Sequence, residues 1–302
     1  MNAAILTSGL SRRFGRSEAV HDLNLAVPVG SIFGFIGPNG AGKTTTIKLL
    51  MNILEPSNGT AEVLTVPSRS LGPDDFRRIG YVSENQELPG WMTVNRFLRY
   101  CRSFYPNWDE ELEVRLLRRF NLPGQRRLKN LSRGMRMKAA LISSIAYRPK
   151  LLILDEPFSG LDPLVRDELI EAILELAAET EWTVFVSSHD LSELESVVSH
   201  VGYIEQGRLQ FSEELTSVQA RFREVEITGP AEMPVSWPTG WLRPATSGAV
   251  TRFVVSTFAE ERTPEQIESF FPDCRAWEAR PMSLRAIFTS MASADGRERT
   301  AL

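Results

Sequence analysis

One octapeptide constrains this chain more than any other part of it: Gly37-Pro38-Asn39-Gly40-Ala41-Gly42-Lys43-Thr44. It has the pattern glycine, four residues, glycine, lysine, then serine or threonine. An apolar run, Ile32-Phe33-Gly34-Phe35-Ile36, precedes it, and helical spacing continues after it through Ile47, Leu50 and Ile53. A buried strand, a glycine turn and a helix in that order predict a phosphate-binding loop. Glycines let backbone N–H groups point inward as a nest for phosphate oxygens. The helix N-terminus adds unpaired N–H groups and the positive end of its dipole. Lys43 is placed to reach the β- and γ-phosphates, and the Thr44 hydroxyl to ligate Mg2+.

A second signal is Leu151-Leu152-Ile153-Leu154-Asp155-Glu156-Pro157, two carboxylates directly after an apolar run. Ligands of open α/β sheets bind at the carboxyl ends of strands, so both acids are expected to face the phosphate loop. Asp155 is placed to hold a Mg2+ shell, and Glu156 to orient or deprotonate an attacking water.

The rhythm from about residue 3 to 213 is that of an α/β fold with a largely parallel sheet. Thr183-Val184-Phe185-Val186 is a third apolar run, and runs without alternation mean strands covered on both faces. Asp162-Pro163 reads as an N-cap with proline in the first helical turn. Tyr203 to Phe211 reads as a hairpin turning at Gln206-Gly207. Residues from about 86 to 147 are helical and charge-rich, broken at Pro89, Pro106 and Pro123, and predict a helical insertion. After about 214 the composition shifts. Phe222 to Ile227 and Thr251 to Thr257 have strand character, Pro230, Pro234, Pro238 and Pro244 punctuate the stretch between, and Ser283 to Met291 predicts a final helix.

The chain has 302 residues, enough for one large domain and a small one. A net charge of −4 argues against a nucleic-acid-binding face. Cys101 and Cys274 form no paired motif, so packed thiols in a reducing compartment are expected. No run approaches the roughly 18 apolar residues of a membrane span, and the start does not read as a signal peptide, so a soluble chain is expected.

Leu131-Ser132-Arg133-Gly134-Met135 lies 20 residues upstream of Leu151 and opens a helical run. It resembles the signature of ATP-binding-cassette (ABC) ATPases, whose usual form is Leu-Ser-Gly-Gly-Gln, and the resemblance covers about residues 3 to 213 in family order. It implies a phosphate-loop NTPase core with an inserted helical subdomain and an antiparallel β subdomain. It further implies that Phe14 stacks on adenine, that the phosphate loop including Thr45 binds ATP, and that Ser159-Gly160-Leu161-Asp162 links two cassettes. His189, after Ser187-Ser188, matches the histidine that contacts the γ-phosphate.

In this family ATP is held between the phosphate loop of one cassette and the signature of another. The resemblance therefore implies a head-to-tail dimer, homo- or heteromeric, in which Ser132 and Gly134 meet the partner's ATP. It also implies a separate membrane permease, which would hold the chain at the inner face of the cell membrane. The alternative is a non-transport ABC ATPase of translation or DNA repair. Those chains usually carry two cassettes or a long coiled coil. This one has a single phosphate loop, with about 90 residues between it and the signature.

Three positions depart from the family pattern. Glu84 stands where glutamine usually touches Mg2+, and a carboxylate there is still a hard oxygen ligand, with Gln86 as its possible substitute. Arg133 replaces the first signature glycine, either adding attraction to phosphate or turning to solvent or a local ion pair. Met135 replaces the last signature residue, so no capping box forms there. The last two resemble the branch with separate ATPase and permease chains, often exporters. Trp91-Met92 beside Pro89-Gly90 is expected as an apolar knob for a permease segment or as packing against the helical insertion. Residues 1–214 thus read as the ATPase domain. Residues 215–302 read as a dimerisation or regulatory appendage, or an inert extension.

Overall fold

A computed structural model describes residues 2–180, 182–190, 194–229 and 237–292. The chain divides into two compact units, Met1–Ser212 and Glu213–Leu302.

The first unit begins with antiparallel strands Ala3–Phe14 (β1), Ser17–Leu23 (β2) and Ala26–Pro28 (β3), then Ile32–Ile36 (β4) and the helix Lys43–Leu50 (α1). Asn58–Val63 (β5) and Val66–Pro67 (β6) return to the first sheet, whose order is β2-β1-β5-β6 with β3 also on β1. The short helix Pro73–Phe76 (α2) leads into Ile79–Val82 (β7). Three helices follow, Val94–Arg102 (α3), Glu110–Arg119 (α4) and Arg133–Ile145 (α5), where the sequence predicts the helical insertion. Leu151–Asp155 (β8), Pro163–Thr180 (α6), Thr183–Ser188 (β9), His200–Glu205 (β10) and Arg208–Glu214 (β11) complete the second sheet.

That sheet runs β11-β10-β4-β9-β8-β7, and the pairings from β10 to β7 are parallel. The all-apolar strands are explained by burial on both faces. β8 and β9 are buried at every position. Phe185 of β9 is fully buried and sits between Phe33 and Phe35 of β4, at centroid distances of 5.7 and 5.3 Å. Gln206 and Gly207 both have positive φ, 48° and 80°, which closes the β10–β11 hairpin in the primed turn whose twist matches its strands.

The insertion has its own polar and aromatic packing. Tyr105 stacks on Tyr147 at 3.8 Å, and the Trp108 Nε1–H donates to Glu113 Oε2 at 2.6 Å. It meets α6 through a row of ion pairs: Arg115 with Glu179 at 2.8 Å, Arg119 with Glu175, and Lys138 with Glu168. α6 begins as the sequence predicts, with the Asp162 carboxylate accepting from Leu164 N at 3.0 Å and Pro163 in the first turn.

The second unit comprises Leu215–Arg221 (α7), Arg223–Thr228 (β12), Trp241–Ser247 (β13), Val250–Val255 (β14), Thr263–Phe270 (α8), Ala276–Pro281 (β15) and Leu284–Ala292 (α9). Its antiparallel sheet has the order β13-β14-β12-β15. Val225, Ile227, Trp241, Phe253, Val255, Ile267 and Phe271 form a separate apolar core. Pro230 and Pro234 lie outside the described residues. Pro244 does not break the chain, as its residue type suggests, but lies within edge strand β13. There the register slips between Leu242 and Ala245 and Arg243 has φ 53°, so the missing N–H falls at a bulge.

Truncating Phe185 would empty the space between β4 and β9. Phe185→Ala is expected to lower unfolding stability by about 3–5 kcal/mol, read by denaturant titration.

Candidate nucleotide site

Sheet order decides what meets at the site. The carboxyl ends of β4, β9 and β8 are neighbours, with Ile36 opposite Ser188 and Asp155 opposite Ser187. β7 comes next, with Val82 opposite Leu154. Four chain segments far apart in sequence therefore end side by side.

The phosphate loop leaves β4 and folds tightly. Two of its glycines have no room for a side chain. A Cβ on Gly37 would lie 2.1 Å from Ile204 O, and one on Gly42 would lie 2.4 Å from Ala19 O. Gly42, at φ 109°, caps α1. Lys43 is buried, and its ammonium donates to Gly37 O at 2.7 Å and Pro38 O at 3.2 Å, holding the loop closed from inside.

The two acids occupy different environments. Thr44 Oγ1 and Ser187 Oγ both donate to Asp155 Oδ1, at 3.1 and 2.8 Å. Ser187 Oγ also accepts from Glu156 N at 2.9 Å, so one serine fixes both acidic positions. Burial raises the Asp155 pKa above the usual carboxylate value. The neighbouring Glu156 charge adds to that rise, and the two hydroxyl hydrogen bonds and Lys43 oppose it. Glu156 has φ 49°, a left-handed conformation that costs a non-glycine residue about 1–2 kcal/mol. This turn aims its carboxylate back at the loop. Lys43 Nζ lies 3.0 Å from Oε1, an ion pair by proximity without an aligned hydrogen bond. The His189 ring Nδ1 lies 2.7 Å from Oε2.

These groups surround a cavity of about 330 Å³ lined by Asn39, Gly40, Gly42, Lys43, Thr44, Thr45, Glu84, Glu156 and His189, together with Ala19 and Ser159. Most site residues expected from the sequence therefore converge. Gly37, Pro38 and Ala41 of the loop and Asp155, bonded to Thr44, stand behind the lining, and three more of the expected residues lie away from both the loop and the two acids. Phe14 is exposed at the end of β1, with the Arg12 guanidinium 4.7 Å from its ring centre. Ser132 caps α5, accepting from Met135 N at 3.2 Å, and Gly134 packs on α6, where an added Cβ would meet Val165 at 2.8 Å.

Sequence reasoning missed Ser187 and Ala19 as site residues and gave Ser159 only as part of the loop linking two cassettes, not as a wall of this cavity. A serine pair at a strand end was the only signal for Ser187. Nothing local marks Ala19, which reaches the cavity from the β2 strand of the other sheet. Among the described residues no cluster of three or more His, Cys, Asp or Glu is present.

Comparison with known proteins gives the family and the fold. A family described as ABC transporter matches residues 20–159. The chain is 36% identical over 217 residues to the bacitracin transport ATP-binding protein BcrA of Bacillus licheniformis, covering 69% of each chain. A solved ATP binding subunit of an ABC transporter is similar at 28% identity and a TM-score of 0.66, over 72% of this chain and 92% of that one. The dimeric ATP-binding cassette MJ0796, in a post-hydrolysis state bound to ADP and Pi, shares the fold. Its TM-score is 0.62 at 20% identity, over 70% of this chain and 98% of that one.

A carboxyl whose folded pKa is raised is favoured in its protonated form. Its contribution is fully present below the unfolded pKa and is lost as pH rises through the folded pKa. Asp155 is therefore expected to cost stability at neutral pH. In nucleotide-free chain with a divalent-cation chelator, Asp155→Asn is expected to melt higher than the parent at pH 7, and the gap to narrow as pH falls through the carboxylate range. Parallel melting curves across pH check it.

Proposed function

The chain belongs to the ABC transporter family as an ATP-binding subunit with ATPase activity, and from that premise we propose that it works as half of a head-to-tail cassette pair. One observation carries this reading: Ser132 and Gly134 do not line the cavity that gathers Lys43, Glu156 and His189. A single chain thus offers the phosphate-loop half of one site and the signature half of another. ATP on the loop would be closed by the signature of a second cassette, so that two ATP molecules join the pair and their hydrolysis releases it. A cassette of the same fold is dimeric with ADP and Pi bound, which supports this arrangement.

In this reading the loop from Gly37 to Thr45 cradles the phosphates with backbone N–H groups and Lys43. When phosphate draws the Lys43 ammonium away, Glu156 keeps its His189 partner and is left to orient water and take its proton. His189, held through Nδ1, presents the other face of its ring to the γ-phosphate. Thr44, Asp155 and Glu84 would hold Mg2+, which when bound neutralises phosphate charge. Phe14 is offered to adenine from the exposed end of β1.

Among the described residues no helix is long and apolar enough to cross a membrane. The likeness to transport ATP-binding proteins supports a separate permease as its partner, at the inner membrane face. Trp91, 68% exposed seven residues after Glu84, supplies an apolar contact for it. Arg133 and Met135 in the signature favour outward transport, and the net charge of −4 speaks against a nucleic-acid partner. Residues 1–214 act as the ATPase domain. Residues 215–302, with their own core, act as an appendage for dimerisation or regulation.

Glu156→Gln is expected to bind ATP, to slow hydrolysis by about 100-fold or more, and to elute as a dimer with ATP on size exclusion. A variant that stays monomeric with saturating ATP would argue against the pairing. Glu84→Gln should raise the Mg2+ concentration for half-maximal hydrolysis several-fold, as expected for loss of a charged oxygen ligand. An unchanged Mg2+ titration removes Glu84 from the metal set.

A further inference from the structure

Arg133, the residue that takes the place of the first signature glycine, is exposed but turned toward its own chain. Its guanidinium lies over Gly160, where an added Cβ would be 2.9 Å from Nη1 and 3.3 Å from Cζ. Gly160 itself has φ 65°. A residue further along, Gly134 rests on Val165 closely enough that an added Cβ would meet Cγ1 at 2.8 Å. The start of α5 therefore grips the start of α6 and its preceding loop at two points.

That loop is short and directly joined to the cavity. Ser159 N donates to Glu156 O at 3.3 Å, and Leu161 N donates to Phe158 O at 3.1 Å, so 156–161 is a run of overlapping turns. Ser159 and Glu156 both line the cavity. The loop ends at Asp162, which caps α6. It is thus fixed at one end by the Asp162 cap and at the other by the Glu156 turn. Between them, the guanidinium of the arginine touches Gly160, which stays partly open to solvent at the bend. A flat guanidinium suits a glycine face in a way a lysine ammonium does not, because it is planar and weakly hydrated.

We propose that Arg133 is a positioning residue: it packs on Gly160 of its own chain and fixes the 159–162 loop, and through it Ser159 and Glu156, in register with the signature serine. The proposal deepens the reading of the site given above and rests on it. The signature that would touch a partner's nucleotide and the wall of the chain's own cavity then shift together. It also sets aside a direct role for the Arg133 charge on phosphate.

A double-mutant cycle in the full chain tests it. Arg133→Ala and Gly160→Ala should each lower kcat, by about tenfold for a displaced catalytic wall, with a much smaller change in KM for ATP. Arg133→Ala removes the group that an alanine at 160 would strike. At φ 65° an alanine at 160 stays strained in both backgrounds, and only the part of its cost owed to the guanidinium should vanish beside Arg133→Ala, so the combined kcat loss should be smaller than the product of the two. Arg133→Lys should recover little. Hydrogen exchange at amides 159–161 of the nucleotide-free chain should speed up in Arg133→Ala. Multiplicative kcat losses, full rescue by lysine with a KM-dominated defect, or unchanged exchange at 159–161 would each overturn the proposal. A parent chain without ATPase activity would instead sink the functional reading, and the exchange measurement would still decide whether the contact exists.

Discussion

Two backbone carbonyls set the terms for this molecule. Ile204 O stands behind Gly37 and Ala19 O beside Gly42, both so near that no side chain fits at either glycine. The phosphate loop is therefore clamped between β10 of the parallel sheet and β2 of the antiparallel one. Its N–H groups need no ordering when phosphate arrives, because the packing of two sheets has already ordered them. A preorganised donor array is worth more than a flexible one, since no reorganisation is left for the moment of binding. The same clamp buries Lys43, which spends its hydrogen bonds on the carbonyls of Gly37 and Pro38.

The charges inside the cavity are arranged around that clamp. Asp155 and Glu156 are adjacent and both buried, an arrangement that repulsion and desolvation disfavour. It is tolerated because each acid has its own partners: Thr44 and Ser187 for Asp155, Lys43 and His189 for Glu156. The division depends on the left-handed turn at Glu156, which sends the two carboxylates in different directions. Local strain of this kind persists only where surrounding structure over-determines it. Here Ser187, bonded to the Glu156 N–H and the Asp155 carboxylate, does so.

Away from the cavity, the helical insertion meets α6 through the Gly134–Val165 contact and through ion pairs: Arg115–Glu179, Arg119–Glu175 and Lys138–Glu168. The Arg115 and Arg119 pairs are largely exposed, and such pairs contribute only about 0–1 kcal/mol each, whereas Lys138 is buried. Such a seam sets register more than it adds stability, which suits two bodies that keep a defined face toward one another. The second unit stands apart in this respect, with an aromatic core around Trp241, Phe253 and Phe271.

What the sequence determined by itself was whatever contiguous residues can dictate. The glycine pattern before Lys43 specified a phosphate loop, because only glycine permits that backbone. The unbroken apolar runs at 32–36, 151–154 and 183–186 specified strands buried on both faces, and Asp162-Pro163 specified a helix start. The acids at 155 and 156 were legible because a ligand site lies at strand ends. Only the tertiary structure decided who partners whom. Strand order in a parallel sheet is not chain order, so the opposition of Ser187 to Asp155, the triple contact of Glu156, the approach of Ala19 and the closure of Arg133 on Gly160 have no local signature. Each joins residues from 23 to 113 positions apart, brought together by packing energy summed over both sheets rather than by any short-range preference of the chain.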